Sequence, residues 1–260
     1  MGSAQIQGDL WGTRAREWAD LQEASFRPVY EAVFDATGLG HDSALLDVGC
    51  GAGLALQVAQ SRGANASGLD AAAGLVEIAR SRCPGADIRV GEIEALPFGD
   101  HTFDVTTGFN SFQYATDPPH ALAEARRVTK PNGHVVITVW GAAEKCELAG
   151  HIAALGKLLP PPPPGAAGPF ALSAPGALEA LVGKAGLRPD GARTVMTTMR
   201  FTDEDAALRG LLASGVAERA VRHSGEPAVR AGLADAIRPF RQGDGAYGFR
   251  NEWRYLVSRA

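Results

Sequence analysis

Apolar runs of strand length alternate with stripes of helical period along the first 140 residues. Ala44 to Val48 (ALLDV) is a short apolar run ending in a glycine cluster, and Leu54 to Arg62 then sets Leu54, Ala55, Val58 and Ala59 at helical spacing. A strand, a tight turn and a helix follow from that pattern. Ala66 to Leu69, closed by Asp70, predicts a second strand, and Gly74 to Arg82 carries Leu75, Ile78 and Ala79 on one helical face. Asp87 to Val90 and Phe103 to Thr107 predict the third and fourth strands. His120 to Val128 predicts a helix with Leu122, Ala125 and Val128 inward. His134 to Trp140 predicts a fifth strand after Lys130-Pro131-Asn132-Gly133, whose Pro and Asn-Gly suit a turn. Strands alternating with helices imply a parallel sheet covered on both faces.

Beyond Trp140 the pattern changes. Ala143 to Leu159 predicts one helix running into Pro160 to Pro164, five residues without a backbone donor that favour a stiff, extended loop. Ser173-Ala174-Pro175 predicts a helix start, with Ser173 as N-cap, continuing through Leu178, Leu181 and Val182 to about Gly186. Thr194 to Phe201 predicts a sixth strand, and the aromatic stretch Tyr247 to Ser258 a closing strand antiparallel to it. Between them, Asp205 to Ser214, Val216 to Arg222 and Glu226 to Arg238 predict inserted helices interrupted at Gly215, Gly225 and Pro239.

Of the 260 residues, 45% are hydrophobic and 21% charged, which excludes wholesale disorder. Lys and Arg number 25 against 29 Asp and Glu, a net charge of −4 that disfavours nucleic acid as a partner. No run of about 18 apolar residues occurs, and MGSAQIQGDLWGTRAREW lacks an apolar stretch, so the expectation is a cytoplasmic protein without a membrane partner. Ile6 stands where a myristoylation signal starting Met1-Gly2 needs Ser or Thr. Cys50, Cys83 and Cys146 form no CxxC pair and are expected as free thiols, and no metal site is expected.

The chemistry concentrates where the first strand ends. In LLDVGCGAG, Gly49, Gly51 and Gly53 let backbone approach a ligand, and the helix that follows points its free amides at the same place. The spacing is GxGxG, with Leu54 where a dinucleotide fingerprint would continue, so an NAD-dependent oxidoreductase is disfavoured. Asp70, 17 residues beyond Gly53, closes the second strand where open α/β sheets bind a ribose diol.

LLDVGCGAG, SGLDAAAGLVEIAR (67–80), GEIEALPFGDHTFDVTTGFNSFQY (91–114) and ARRVTKPNGHVVITVW (125–140) together resemble class I S-adenosylmethionine-dependent methyltransferases, most closely the bacterial small-molecule type 11 family. The likeness spans about residues 43–141. It implies S-adenosyl-L-methionine as cofactor and S-adenosyl-L-homocysteine as product. It places Gly49, Cys50 and Gly51 along the methionine part, with Asp47 bracing the turn, Asp70 on the ribose hydroxyls and Ala71 against the adenine. Glu92 falls near the adenine amino group and Ile93 on its ring, at a position where Asp followed by Ala is commoner. Phe109 and Asn110 map beneath the sulfonium. The stretch from Trp11 to Trp18 resembles a helix that folds over the cofactor, where Trp11 and a guanidinium such as Arg16 would contact it, the latter through the methionyl carboxylate.

The implied fold class is α/β: a doubly wound Rossmann-like sheet, mostly parallel with an antiparallel last strand, plus an N-terminal helix and a helical lid insertion. Residues 1–40 would form a helical cap, 41–200 and 245–260 the cofactor-binding domain, and 201–244 a lid whose Ala-rich helices line an apolar acceptor pocket. The expected activity is methylation of a small-molecule acceptor, such as a natural-product tailoring step. The alternative is a binding module or cyclase that keeps the cofactor. A catalytic base is unassigned, with His151, His223 and Tyr114 as candidates if the acceptor carries a proton. Several residues also have plainer readings: Asp47 as a turn brace, Asp70 as a helix cap, Trp11, Trp18, Phe112 and Tyr114 as packing, and His120, His134 and His151 as ordinary histidines. The run Thr107-Gly108-Phe109-Asn110 lacks the Asn-Pro-Pro-aromatic motif of amino-methylating enzymes, which disfavours DNA as acceptor.

Overall fold

The computed structural model describes residues 2–161 and 168–260. Along the chain run α1 (Ala4–Gly12), the single turn α2 (Ala15–Glu17), a π-helical turn (Trp18–Gln22) and a 3-10 turn (Glu23–Phe26), then α3 (Arg27–Thr37). Next come β1 (Ala44–Val48), α4 (Leu54–Ser61), β2 (Asn65–Asp70), α5 (Ala73–Arg82), β3 (Asp87–Val90), β4 (Phe103–Phe109), α6 (Pro118–Val128) and β5 (Thr129–Trp140). The remainder holds α7 (Ala149–Gly156), α8 (Ala177–Lys184), β6 (Arg188–Phe201), α9 (Glu204–Leu212), α10 (Gly215–Ser224), α11 (Glu226–Ile237) and β7 (Tyr247–Arg259).

The strands form one sheet in the order β3-β2-β1-β4-β5-β7-β6. Strands β1 to β5 pair in parallel, and β7 lies antiparallel between β5 and β6. Period-two alternation sends successive side chains to opposite faces. Trp253, Tyr255 and Val257 of β7 join one core with α3 and α4, whereas Leu256 joins the other with α6 and α8. Helix α3 belongs to the sheet's own packing: Val29, Val33 and Phe34 are fully buried, and Phe34 meets Phe109 of β4 edge-on at 6.1 Å. A third core joins α7, α9, α10 and α11 to the ends of β6 and β7 through Leu211, Leu233, Ile237, Phe201 and Phe249.

Four local expectations are corrected. The anticipated turn Lys130–Gly133 lies inside β5, which starts at Thr129 rather than His134, with a register shift against β4 between Phe103 and Val105. The predicted helix Ala143–Leu159 is broken into a 3-10 turn (Ala143–Lys145) and α7, because Cys146 bridges to Asn251 and the Leu148 N–H donates to the Asn251 side chain at 3.1 Å. Ser173 is not an N-cap. It closes a 3-10 turn, its hydroxyl donating to the Phe170 carbonyl at 2.7 Å, and α8 starts only after Gly176 at φ 79°. Strand β6 starts at Arg188 rather than Thr194, with a register shift between Pro189 and Gly191. Residues 162–164 of the anticipated proline loop, and Met1, lie outside the described residues.

If α3 is an integral layer of the sheet, Phe34→Ala should lower unfolding stability by about 3–5 kcal/mol, read from urea denaturation. A loss below about 1 kcal/mol would make α3 a detachable cap.

Candidate cofactor site

Strand β1 has β2 on one side and β4 on the other, so the chain leaves it at the sheet's switch point, where a crevice opens beyond the strand ends. The exit turn has Gly49, Gly51 and Gly53 at φ 79°, 54° and 85°, a region that L side chains rarely adopt. A Cβ on Gly49 would meet the Ser111 side chain, and one on Gly53 would come within 2.9 Å of Ala79 Cβ.

The loop amides find internal partners. Gly49 and Cys50 donate to the Leu69 carbonyl at 2.7 and 3.0 Å, and Gly51 donates to the Asp70 carboxylate at 2.9 Å. The other Asp70 oxygen accepts from Ala72 at 2.8 Å, so Asp70 braces both the glycine loop and the start of α5. Leu54, opening α4, donates to the Glu23 carboxylate at 3.2 Å, and Glu23 is ion-paired with Arg82 at the end of α5.

Above the loop lies a cavity of about 900 Å³, its open mouth included. Its walls hold four carboxylates, Glu23, Asp47, Asp70 and Glu92, and six aromatic residues, Trp11, Trp18, Phe26, Tyr30, Phe109 and Tyr114. Among the described residues lining it there is no Lys, Arg or His. Burial raises the Asp70 carboxyl, opposed by the amides of Ala72 and Gly51, and raises that of Glu23, opposed chiefly by Arg82. Asp47 is pushed up to about 7 by burial, against a 2.8 Å hydrogen bond from the Thr107 hydroxyl, while the charges of Asp70 and Glu23 add to the rise. Burial also lifts the Tyr30 phenol well above its ordinary range, and that of Tyr114 to about 12.

Helix α1 roofs the cavity through Ser3, Ala4, Gln7 and Trp11. Its first turn is tied down by Glu92, which accepts from the Ala4 N–H at 2.8 Å and the Ser3 hydroxyl at 3.3 Å. Gly8 lies flat on the turn after β2, where a Cβ would stand 2.5 Å from the Ala71 carbonyl oxygen. Trp11 meets Trp18 edge-on at 5.1 Å and Tyr114 at 5.9 Å.

The structure brings Asp47, Gly49, Cys50, Gly51, Asp70, Ala71, Glu92, Ile93, Phe109, Asn110, Trp11 and Tyr114 to this one cavity. Asn110, like the glycines, has positive φ, at 57°. Three other predicted residues lie elsewhere. Arg16 is 73% exposed and faces Asp20 at 3.9 Å, while its neighbour Arg14 is paired with Glu226 at 2.8 Å, so neither guanidinium reaches the cavity. His151 is buried in the third core with Nδ1 on the Leu148 carbonyl, and burial pushes it down to about 4. His223 is exposed on α10. Both are therefore corrected as base candidates. The helices of 201–244 do not line the cavity either. They stand behind the roof, the start of α10 lying so close to Trp11 that a Cβ on Gly215 would be 2.6 Å from its Nε1. Glu23, Tyr30, Phe26 and Ser111 line the cavity without having been foreseen. Tyr30 and Phe26 read as ordinary core positions of a helix, and nothing local to Glu23 marks it.

The raised Asp47 carboxyl has a consequence for stability. A folded chain that keeps a proton the unfolded chain has released loses stability as pH rises, here from the ordinary value of 3.8 to about 7. The urea midpoint of the wild type, compared with Asp47→Asn, should fall across that window and level off above it. A constant difference would show that Asp47 is ionised throughout.

The profile of a methyltransferase domain matches residues 46–137. A malonyl-acyl-carrier-protein O-methyltransferase of Serratia marcescens is 32% identical over 136 residues, 52% of this chain and 53% of that protein. The chain spans about half the length of the curated relatives it matches. Among solved structures, a geranyl diphosphate C-methyltransferase from Streptomyces coelicolor, in complex with Mg²⁺, geranyl diphosphate and S-adenosyl-L-homocysteine, aligns with a TM-score of 0.57 at 13% identity. The alignment covers 99% of this chain and 97% of that one. A 4+2 cyclase aligns with a TM-score of 0.59 at 21% identity, covering 98% and 92%. Residues 46–137 thus match the methyltransferase domain of the type 11 family, and the sheet built around them is the fold shared by the S-adenosylmethionine-dependent methyltransferases it resembles.

Proposed function

We propose that the chain binds S-adenosylmethionine in the cavity above the glycine loop and methylates a small-molecule acceptor, with S-adenosylhomocysteine as the second product. The observation that carries this reading is the acidic character of the walls: four Asp or Glu side chains and, among the described residues lining the cavity, no basic one. A dinucleotide would bring a diphosphate to amides already held by Asp70 and Glu23, whereas a sulfonium and an ammonium meet opposite charge. The aromatic walls add attraction for a cation.

In this reading Asp70 receives the ribose hydroxyls through its remaining lone pairs, Ala71 and Ile93 flank the adenine, and Glu92 faces its amino group while holding α1. Gly49, Cys50 and Gly51, braced by Asp47, follow the methionine part. Phe109 and Asn110 stand beneath the sulfonium, and Trp11 closes the roof. When bound, the cofactor supplies a methyl group on a positively charged sulfur. The chain's own work is to align an acceptor with that carbon and to exclude water with α1. Tyr30 and Tyr114 keep their protons near neutral pH, so their phenols serve as hydrogen-bond partners and not as bases. The division into cap, sheet and insertion belongs to this proposal, with α1 as roof and α9 to α11 as the buttress behind it.

The acceptor is a small molecule in this proposal, supported by the malonyl-acyl-carrier-protein enzyme among the similar proteins. Three buried, unpaired thiols suit a reducing compartment such as the cytoplasm. Among the described residues, no helix is long and apolar enough to cross a membrane, and no group of three or more His, Cys, Asp or Glu could hold a metal ion. A second reading, cofactor binding in support of a cyclisation, is favoured only by the likeness to the 4+2 cyclase, which concerns the fold.

Calorimetric titration tests the cofactor. S-adenosylmethionine should bind with micromolar affinity, about −8 kcal/mol, NAD should not, and Asp70→Asn should weaken binding by about tenfold or more. Absence of S-adenosylmethionine binding would overturn the reading. Mass spectrometry of turned-over acceptors separates the two activities, since methylation adds one CH₂ unit and cyclisation adds none.

A further inference from the structure

The roles above employ Asp47, Asp70 and Glu92 but leave Glu23 unused. Its side chain is 2% exposed, yet it comes from the N-terminal segment, 31 positions before the helix start it contacts. The backbone departs from a regular helix to deliver it. Trp18–Gln22 is a π-helical turn, a form concentrated at functional sites, and the Glu23 N–H closes it on the Trp18 carbonyl. The turn is anchored by the Gln22 amide, which donates to the Gly210 carbonyl of α9. Trp18 and Glu23 are thereby both turned into the cavity.

One Glu23 oxygen accepts from the Leu54 N–H, and the other is paired with the Arg82 guanidinium. Arg82 opposes the rise that burial imposes on the carboxyl and so favours its ionised form. A carboxylate has about four lone-pair sites, so capacity remains on the cavity side. The group stands over the glycine loop: a Cβ on Gly51 would lie 3.5 Å from its Oε1. Glu23 therefore stands at the loop end of the cavity, while Glu92 is at the α1 end.

Resting on the cofactor reading above, we propose that Glu23, held by Arg82 and the Leu54 amide, binds the α-ammonium group of the cofactor's amino-acid end. The N-terminal segment thus recognises the amino acid directly, and a nucleoside without that end gains nothing from Glu23.

The test compares three ligands by calorimetry, with tryptophan fluorescence as a second readout: S-adenosylhomocysteine, its analogue lacking the α-amino group, and 5′-methylthioadenosine. Glu23→Gln retains an acceptor for the Leu54 amide. It should weaken S-adenosylhomocysteine by about tenfold or more, the worth of one charge-assisted hydrogen bond, and change the other two less than twofold. Wild-type protein, which needs no variant to fold, should prefer S-adenosylhomocysteine over its deamino analogue by a similar factor. Equal weakening of all three ligands would reduce Glu23 to a packing role, and equal wild-type affinity for the first two would overturn the ammonium contact. Wild-type protein that binds none of them overturns the cofactor reading itself, a result distinct from either.

Discussion

Everything at the site depends on how the backbone amides between β1 and α4 are satisfied. The turn cannot be buried with empty donors, since each would cost about 1–3 kcal/mol. Leu69 supplies a carbonyl for two of them, Asp70 a carboxylate for a third and Glu23 a carboxylate for the first turn of α4. Because two of these partners are acids, the same hydrogen bonds that hold the loop also set the sign of the field above it. Loop geometry and ligand charge are one arrangement.

That arrangement needs the N-terminal segment in place. Glu23 can reach α4 only because α3 is fastened to the sheet by Phe34, Val29 and Val33, immediately downstream of the 3-10 turn that carries the acid. From this anchor the chain runs back across the cavity as a roof. It is held at its far end by Glu92 and by the flat contact of Gly8 on Ala71. The inserted helices support the roof from outside, through Gly215 under Trp11, Gly210 above Gln22 and the Arg14 to Glu226 pair. They influence the pocket by fixing what lines it.

The sheet and most of the loop-side residues were legible in the sequence because each depends on local information. The short apolar runs of β1, β2, β4 and β5, the glycines of the exit turn, and Asp70 at a strand end are all read within a few residues of themselves. What escaped is long-range. The predicted helix at 143–159 has adequate helical composition, and it breaks only because Asn251, more than 90 positions away, offers a side-chain acceptor to Leu148. Arg16 rests on the likeness of Trp11–Trp18 to one helix folded over the cofactor, but α1 ends at Gly12 and α2 is a single turn before the π-helical one, so the helix is not continuous and the guanidinium points outward. Glu23 has no local mark at all, because its meaning comes from Arg82 and Leu54.

The comparison with dinucleotide-binding sheets shows why the glycine spacing alone decides little. Both architectures end a central strand in glycines and aim a helix start at a crevice. A helix N-terminus favours an anion, and in this chain that preference is met from within by Glu23. Once the helix start is occupied by a carboxylate, the crevice is lined with acids, and an incoming diphosphate would face repulsion at the place where it needs free amides. The ligand of the proposed function carries positive charge near the loop and hydroxyls that the proposal sets near Asp70. The missing third glycine and the filled helix start therefore exclude the same ligand by two routes, one steric and one electrostatic, and the electrostatic route could be read only once the fold had brought residue 23 to residue 54.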